Sequence, residues 1–366
     1  MLMLLPLNKA LFKQSTKALL IHAGLFLLLG ASAAYAQDTI DPKNKTLEQT
    51  ITERVKNAEE KNYLSISYEN DLIGGGTDEF YTSGLRVTHF NVNTDVPDIL
   101  DRVANRIPTF DINETTSTFY SFGQNIYTPQ DIGIAADQAN DRPWAAWLYG
   151  SVGLATLERN HIDELEVTLG VVGPEALGEQ TQKLVHSHIT GSETPRGWSN
   201  QLDFEPGLIL SWRRRWPWEW TQEFGAFRFR AEPNINVSLG NIYSYAGGGL
   251  NVQFGPDNGA LQDTPPRVRP AMAGNGYFET PKSGWSWHLF AGVDGRLVGR
   301  NIFLDGNTFR DSSSVDKEYL VGDAAAGVAF TFDRYRLSYS YNYRSKEFKG
   351  QDDSSRFGSA TLSTRF

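Results

Sequence analysis

The chain of 366 residues contains no cysteine, which excludes both a disulfide scaffold and a thiol nucleophile. After residue 31 no segment approaches the about twenty continuous apolar residues that a helical membrane span needs. Neither Gly-x-Ser-x-Gly nor His-Glu-x-x-His occurs, so serine acyl hydrolysis and zincin chemistry have no local motif. Basic residues are also in short supply, 34 Lys and Arg against 43 Asp and Glu. That balance argues against nucleic acid. It favours divalent cations, or a surface on which such cations bridge phosphates.

The N-terminus carries the pattern of an export leader. Lys9, Lys13 and Lys17 precede an apolar stretch from Ala18 to Ala31, and Ala34-Tyr35-Ala36 fits a small-x-small cleavage site before Gln37. The stretch is too short to span a bilayer comfortably, so residues 1–36 are expected to be removed. Without those three lysines the chain holds 31 basic and 43 acidic residues, a net charge of −12. Residues 37–61 follow as a polar segment with Leu47, Ile51, Val55 and Ala58 at helical spacing, a short periplasmic helix. Whether it packs beneath a barrel mouth or frays is not written in these residues.

From residue 62 to 366 the dominant pattern is alternation. Glu164-Leu165-Glu166-Val167-Thr168-Leu169 alternates without error, Leu64, Ile66 and Tyr68 oppose Ser65, Ser67 and Glu69, and Leu362, Thr364 and Phe366 oppose Ser363 and Arg365. Segments of about ten alternating residues are the signature of transmembrane strands. Twelve runs can be drawn, at 63–70, 82–92, 117–127, 143–157, 161–173, 198–215, 220–236, 240–255, 284–299, 317–332, 334–345 and 355–366. An even number suits a single-chain, all-β antiparallel barrel with both ends in the periplasm. On that reading Glu158-Arg159-Asn160, Trp216-Pro217 and Asp333-Arg334 are short periplasmic turns. The links 71–81, 128–142, 174–197, 300–316 and 345–354 fall outside, and 93–116 and 256–283 break the short-turn rule. Nine Trp and fifteen Tyr suit interfacial girdles, with Trp216, Trp218 and Trp220 clustered.

A barrel wall does not need the polar residues that collect at strand ends. Asn70-Asp71 closes the first run, and Asp78 and Tyr81-Thr82 open the next. Between runs five and six, Glu175 to His186 has helical composition, and Gln182 and His186, four apart, share a face with Glu179. A neutral imidazole, with an ordinary pKa of about 6.5, can take a proton from water beside a scissile ester, and an amide can orient that water. Asp71 with loop carbonyls supplies hard oxygen ligands suited to calcium, and an Asn amide can donate to an oxyanion. From the residues alone, a surface His and a plain Asn-Asp-Gly turn read the same way. The run Gly74-Gly75-Gly76 lacks the Lys and the strand-to-helix context of a phosphate loop.

Taken in order, these pieces resemble the outer-membrane lipid A deacylases of the LpxR type. The resemblance is carried by Ser67-Tyr68-Glu69-Asn70-Asp71, Asp78-Glu79-Phe80-Tyr81-Thr82-Ser83-Gly84 and Gln124-Asn125-Ile126-Tyr127-Thr128-Pro129. It continues through Asp141-Arg142-Pro143-Trp144-Ala145-Ala146-Trp147-Leu148-Tyr149, Val172-Gly173-Pro174 leading to Gln182-x-x-x-His186, and Pro195-Arg196-Gly197-Trp198-Ser199-Asn200-Gln201-Leu202. It implies a twelve-stranded barrel, acting as a monomer on lipopolysaccharide of the outer leaflet, that removes a 3′-linked acyl or acyloxyacyl chain from lipid A with the help of calcium. It further implies His186 as the base that activates water, Asp71 as a calcium ligand and Asn70 in an oxyanion hole. Gln182 and Thr82 would line the site, and Asp78, Tyr81 and Arg142 would contact substrate. One departure stands out. The best-known members of the family carry adjacent basic residues shortly after the Tyr-x-Pro piece, whereas Gln130 to Asp137 contains none here. Phosphate recognition then falls to another residue such as Arg142, or the lipid head differs. The alternatives are an outer-membrane phospholipase A-like lipase with a Ser-His-Asn system, and a structural barrel without catalysis.

Overall fold

Because side chains alternate across a strand, a polar–apolar alternation buries one face and presents the other. In β1 (Asn62–Asn70) the faces part cleanly: Ser65, Ser67 and Glu69 are almost wholly buried, while Ile66 is 44% exposed. In β12 (Tyr335–Arg344), Arg336, Ser338, Ser340 and Asn342 are buried and Leu337, Tyr339, Tyr341 and Tyr343 exposed. An apolar exterior around a polar interior is the arrangement that lipid outside and a filled lumen inside require.

The computed structural model describes residues 47–71, 73–74, 80–92, 96–107, 110–187, 194–217, 220–268 and 276–366. The expected leader with its cleavage after Ala36, residues 37–46, Asp78 and His188 lie outside the described residues. From β1 the sheet runs through β2 (Phe80–Asn91), β3 (Ser117–Thr128), β4 (Ala145–Glu158), β5 (His161–Val172), β6 (Glu205–Arg215) and β7 (Trp220–Phe224). It continues through β8 (Phe227–Gly240), β9 (Tyr243–Pro256), β10 (Trp285–Asn301), β11 (Leu320–Phe332), β12 and β13 (Ser355–Arg365). Neighbours are antiparallel, and β1 pairs with both β2 and β13, closing the barrel. No helix among the described residues is long and apolar enough to cross a membrane.

The thirteen segments fill twelve barrel positions, because β6 and β7 both pair with β8. This corrects the sequence reading of Trp216-Pro217 as a turn between neighbouring strands. Trp216 still donates its backbone N–H to the Pro233 carbonyl at 3.0 Å, so the ladder runs on past Arg215. Pro217 has no N–H to continue it, and the strand resumes at Trp220 with a register offset. The real hairpin is the two-residue turn after Phe224, where Gly225 adopts a φ of 61°. The run drawn at 220–236 therefore spans that turn. The run drawn from 198 also starts early, since Trp198–Asn200 is a 3-10 turn.

Both barrel ends meet at one rim, where Asn62 and Phe366 exchange backbone hydrogen bonds. Helix α1 (Leu47–Lys56) packs here rather than fraying. Its Ile51 and Val55 are buried against Tyr63, Phe90, Leu157 and Phe278, and Arg54 pairs with Glu279 at 2.9 Å. The long link between β9 and β10 enters the lumen. Asp263 receives Arg215, Gly276 accepts from Arg336, Pro266 accepts from Ser67, and the Val268 N–H reaches Glu69 near the far end of β1 at 3.0 Å. The other long link, between β2 and β3, carries α2 (Asp98–Ala104), whose Leu100 and Ala104 cover Leu154 and Leu165 on the outer wall. Both departures from the short-turn rule are thus packed elements.

Candidate active site

At the opposite rim the end of β1 is fixed from both sides, with Asn70 paired to Ser83 of β2 and Gly358 of β13. Alternation places its side chain on the outer wall with Ile66 and Tyr68, and there its amide Nδ2 donates to the Thr82 carbonyl at 2.8 Å. Thr82 sits at an irregularity in the β2–β3 ladder, where Tyr81 pairs with Tyr127 but Ser83 with Ile126. This bulge breaks the two-residue period and re-aims side chains. The Thr82 hydroxyl lies 2.6 Å from that of Thr128, and both are buried.

Asp71 begins the turn that leaves β1. Its N–H meets the Thr82 carbonyl at 3.4 Å, its own carbonyl accepts from Gly74, and its side chain is 2% exposed. The turn folds back onto β12 and β13: Tyr339 Oη donates to the Ile73 carbonyl at 2.8 Å, and a Cβ on Gly74 would fall 2.1 Å from the Gly358 backbone nitrogen. Only glycine permits that approach. Asp71 is thereby held against the wall, beside the Thr82 carbonyl and the carbonyls of its own turn. This donor set is all oxygen, which suits a hard cation such as calcium better than a nitrogen- or sulfur-seeking one.

Gly173 and Pro174 end β5, a 3-10 turn follows at Pro174–Ala176, and Leu177 in left-handed conformation starts α3 (Gly178–Val185). The helix rests on the outer wall. A Cβ on Gly178 would meet Ala146 and Trp198 at 2.5 Å, and Gln124 of β3 donates to the Ala176 carbonyl at 2.6 Å. Gln182 and His186 face the wall, 3% and 6% exposed, as their spacing predicted. Trp198 donates to Gln182 Oε1 at 2.8 Å, which fixes the amide so that its NH2 group is buried with no protein partner among the described residues. Glu179, expected on the same face, instead pairs with Lys183 at the surface at 2.6 Å.

Asn70, Asp71, Thr82, Gln182 and His186 thus belong to one side of the wall, with Thr128 on β3, the strand beside which α3 packs, completing the chain from β1. Tyr81 and Arg142 do not. Tyr81 lies in the lumen over Gly84, with its ring centroid 5.0 Å from Phe357 and 5.5 Å from Tyr127. Arg142, 1% exposed, stacks over Tyr127 at 4.9 Å and reaches Glu347 at 3.4 Å, while its Nε and Nη2 have no protein partner among the described residues. Sequence reasoning missed Thr128 as the partner of Thr82 and Trp198 as the holder of Gln182. Both lay within the quoted motifs, but neither role shows without the fold.

A family model described as "Outer membrane protein LpxR" matches residues 21–366. Among solved structures, LpxR from Salmonella typhimurium is similar at a TM-score of 0.67 and 22% identity, over 83% of this chain and 100% of that one. The beta domain of the Bordetella autotransporter BrkA matches at a TM-score of 0.43 and 9% identity, over 84% and 100%. The translocator domain of the autotransporter NalP from Neisseria meningitidis matches at 0.34 and 9%, over 96% and 98%. A search of the curated proteins found no match.

Proposed function

The chain belongs to the LpxR family of outer-membrane proteins and is a lipid A deacylase, and from that premise we propose that it removes a 3′-linked acyl or acyloxyacyl chain by attack of water activated at His186. The observation that carries this reading is the pairing of two buried polar residues, Gln182 and His186, on the wall-facing side of α3. The helix lies along the membrane-facing exterior, where an acyl chain of an outer-leaflet lipid can approach without leaving the bilayer. A lumenal site would demand that the chain enter a space occupied by the β9–β10 link.

His186 accepts the proton of the attacking water and returns it to the departing hydroxyl. Gln182, fixed by Trp198 through its oxygen, turns its NH2 toward the water or the ester carbonyl. Asn70 and the backbone around Asp71 stabilise charge that develops on the carbonyl oxygen. Asp71, with the oxygens of Thr82 and of the following turn, would hold calcium, which when bound supplies positive charge to the ester oxygen. No acyl-enzyme forms. A serine-directed organophosphonate separates this mechanism from that of a phospholipase A-like lipase: deacylation of lipid A vesicles should be unaffected, and inactivation with labelling of a serine would contradict it.

A further inference from the structure

We propose a second metal site, of the zinc class, at the rim that carries both barrel ends, formed by Glu158 Oε2, His161 Nε2 and Asp163 Oδ2. The three ligand atoms lie within 4.8 Å of one another. The two-residue turn between β4 and β5, with Arg159 at a φ of 48°, sets Glu158 directly opposite His161. Asp163 follows two residues later on the same strand face. The cluster faces outward, at the foot of the wall.

The spacing is that of a loose ion pair and also fits shared coordination of one ion. His161 Nε2 stands 3.6 Å from Glu158 Oε2 and 3.8 Å from Asp163 Oδ2. Both separations exceed a hydrogen bond. They lie close to the ~3.4 Å edge of a tetrahedron with bonds of about 2.1 Å, the length of zinc–nitrogen and zinc–oxygen bonds. His161 and Glu158 are each held by their other atom, and Asp163 is held by a bidentate pair with Arg214 that engages Oδ2 as well as Oδ1. His161 Nδ1 lies 3.4 Å from Asn160 Oδ1, and Glu158 Oε1 accepts the Asp111 N–H at 2.9 Å. Both oxygens of Asp163 accept from Arg214, at 2.7 and 2.6 Å. Such outer contacts orient the donors of metal sites, and a proton on Nδ1 leaves the Nε2 lone pair available. His161 Nε2 is buried and has no hydrogen-bond partner among the described residues. One imidazole and two carboxylates select a borderline ion of the zinc type, since calcium demands six or more oxygens.

The test uses the folded full-length protein in detergent micelles, stripped with chelator and titrated by calorimetry with Zn2+ and separately with Ca2+. Wild type should show one zinc per chain, with His161→Ala weakening it at least tenfold and Ca2+ failing to compete. His161→Asn serves if the alanine variant loses heat-modifiable migration on gels. Undiminished zinc binding in these variants, or no zinc binding in wild type, overturns the proposal. Trp216, whose ring centroid is 6.3 Å from that of His161, gives a second readout. Bound Cu2+ should quench more emission in wild type than in Trp216→Phe, and equal quenching would place the ion elsewhere. Neither measurement reads deacylation, so failure here leaves the proposed function standing.

Discussion

The two faces of one stretch of barrel wall solve the problem of buried polar groups in different ways. On the lumenal face, charge meets charge. Arg86 donates to Glu166 at 2.6 Å, Arg215 gathers Glu164, Glu232 and Asp263, and Arg344 joins Asp323 to Glu347. On the outer face near α3 the buried groups are amides, hydroxyls, one imidazole and the single carboxylate of Asp71, and the Gln182 NH2 has no partner among the described residues. A mesh of paired ions fills space and fixes a lumen, whereas a mostly neutral set with capacity left over is equipped to receive a ligand. The contrast teaches that neither polarity, burial nor unmet bonding capacity alone marks function at this rim, since Glu166 Oε2, Glu232 Oε1 and Arg142 Nε on the lumenal side also lack partners among the described residues. What sets the outer site apart is its mostly neutral chemistry and its position on the lipid side of the wall.

The sharpest way to break the contrast is at Asp71. Asp71→Ala should bring deacylation down to the level seen in excess chelator while heat-modifiable migration on gels persists, because a carboxylate in a turn contributes little to the strand ladder. Full activity in chelator would remove the metal from the reading. His186→Ala or His186→Asn comes next, with a loss of roughly 10²–10⁴-fold in the chemical step, measured by single-turnover fatty-acid release. On the other face of the wall, Glu166→Ala strands the Arg86 guanidinium. It should cost about 3–5 kcal/mol in urea unfolding in micelles while the rate per folded molecule stays close to wild type. The smallest effects should come from His161→Asn, at the opposite rim, and from His188→Ala, which falls off the four-residue spacing of Gln182 and His186, each within about twofold in rate.

Much of this architecture is legible in the sequence, for reasons that differ by residue. Ser65, Ser67 and Glu69 against Leu64, Ile66 and Tyr68 announce their faces, because lipid and lumen impose opposite demands at every second position. Gln182 and His186 announce theirs through the helical repeat. The sequence is silent where the repeat is interrupted. The bulge at Thr82 places it on the outer wall and its neighbour Tyr81 in the lumen, and nothing in Tyr81-Thr82-Ser83 signals the slip. Trp216-Pro217 carries a stronger turn signal than Gly225-Ala226, yet the chain turns at the latter, since the ladder to β8 tolerates one missing donor. The β9–β10 link has no periodicity, and its place in the lumen follows only from distant partners such as Arg215, Arg336 and Glu69. The side of the wall on which Arg142 lies is hidden for the same reason.

One measurement addresses the outer-wall site most directly: mass spectrometry of lipid A from bacterial cells producing equal folded amounts of the wild-type barrel or of His186→Asn. Wild type should convert lipid A to a species lighter by one acyl or acyloxyacyl group, and His186→Asn should leave it at full mass. Equal deacylation by both proteins would contradict the assignment of His186 and of the helix face that carries it.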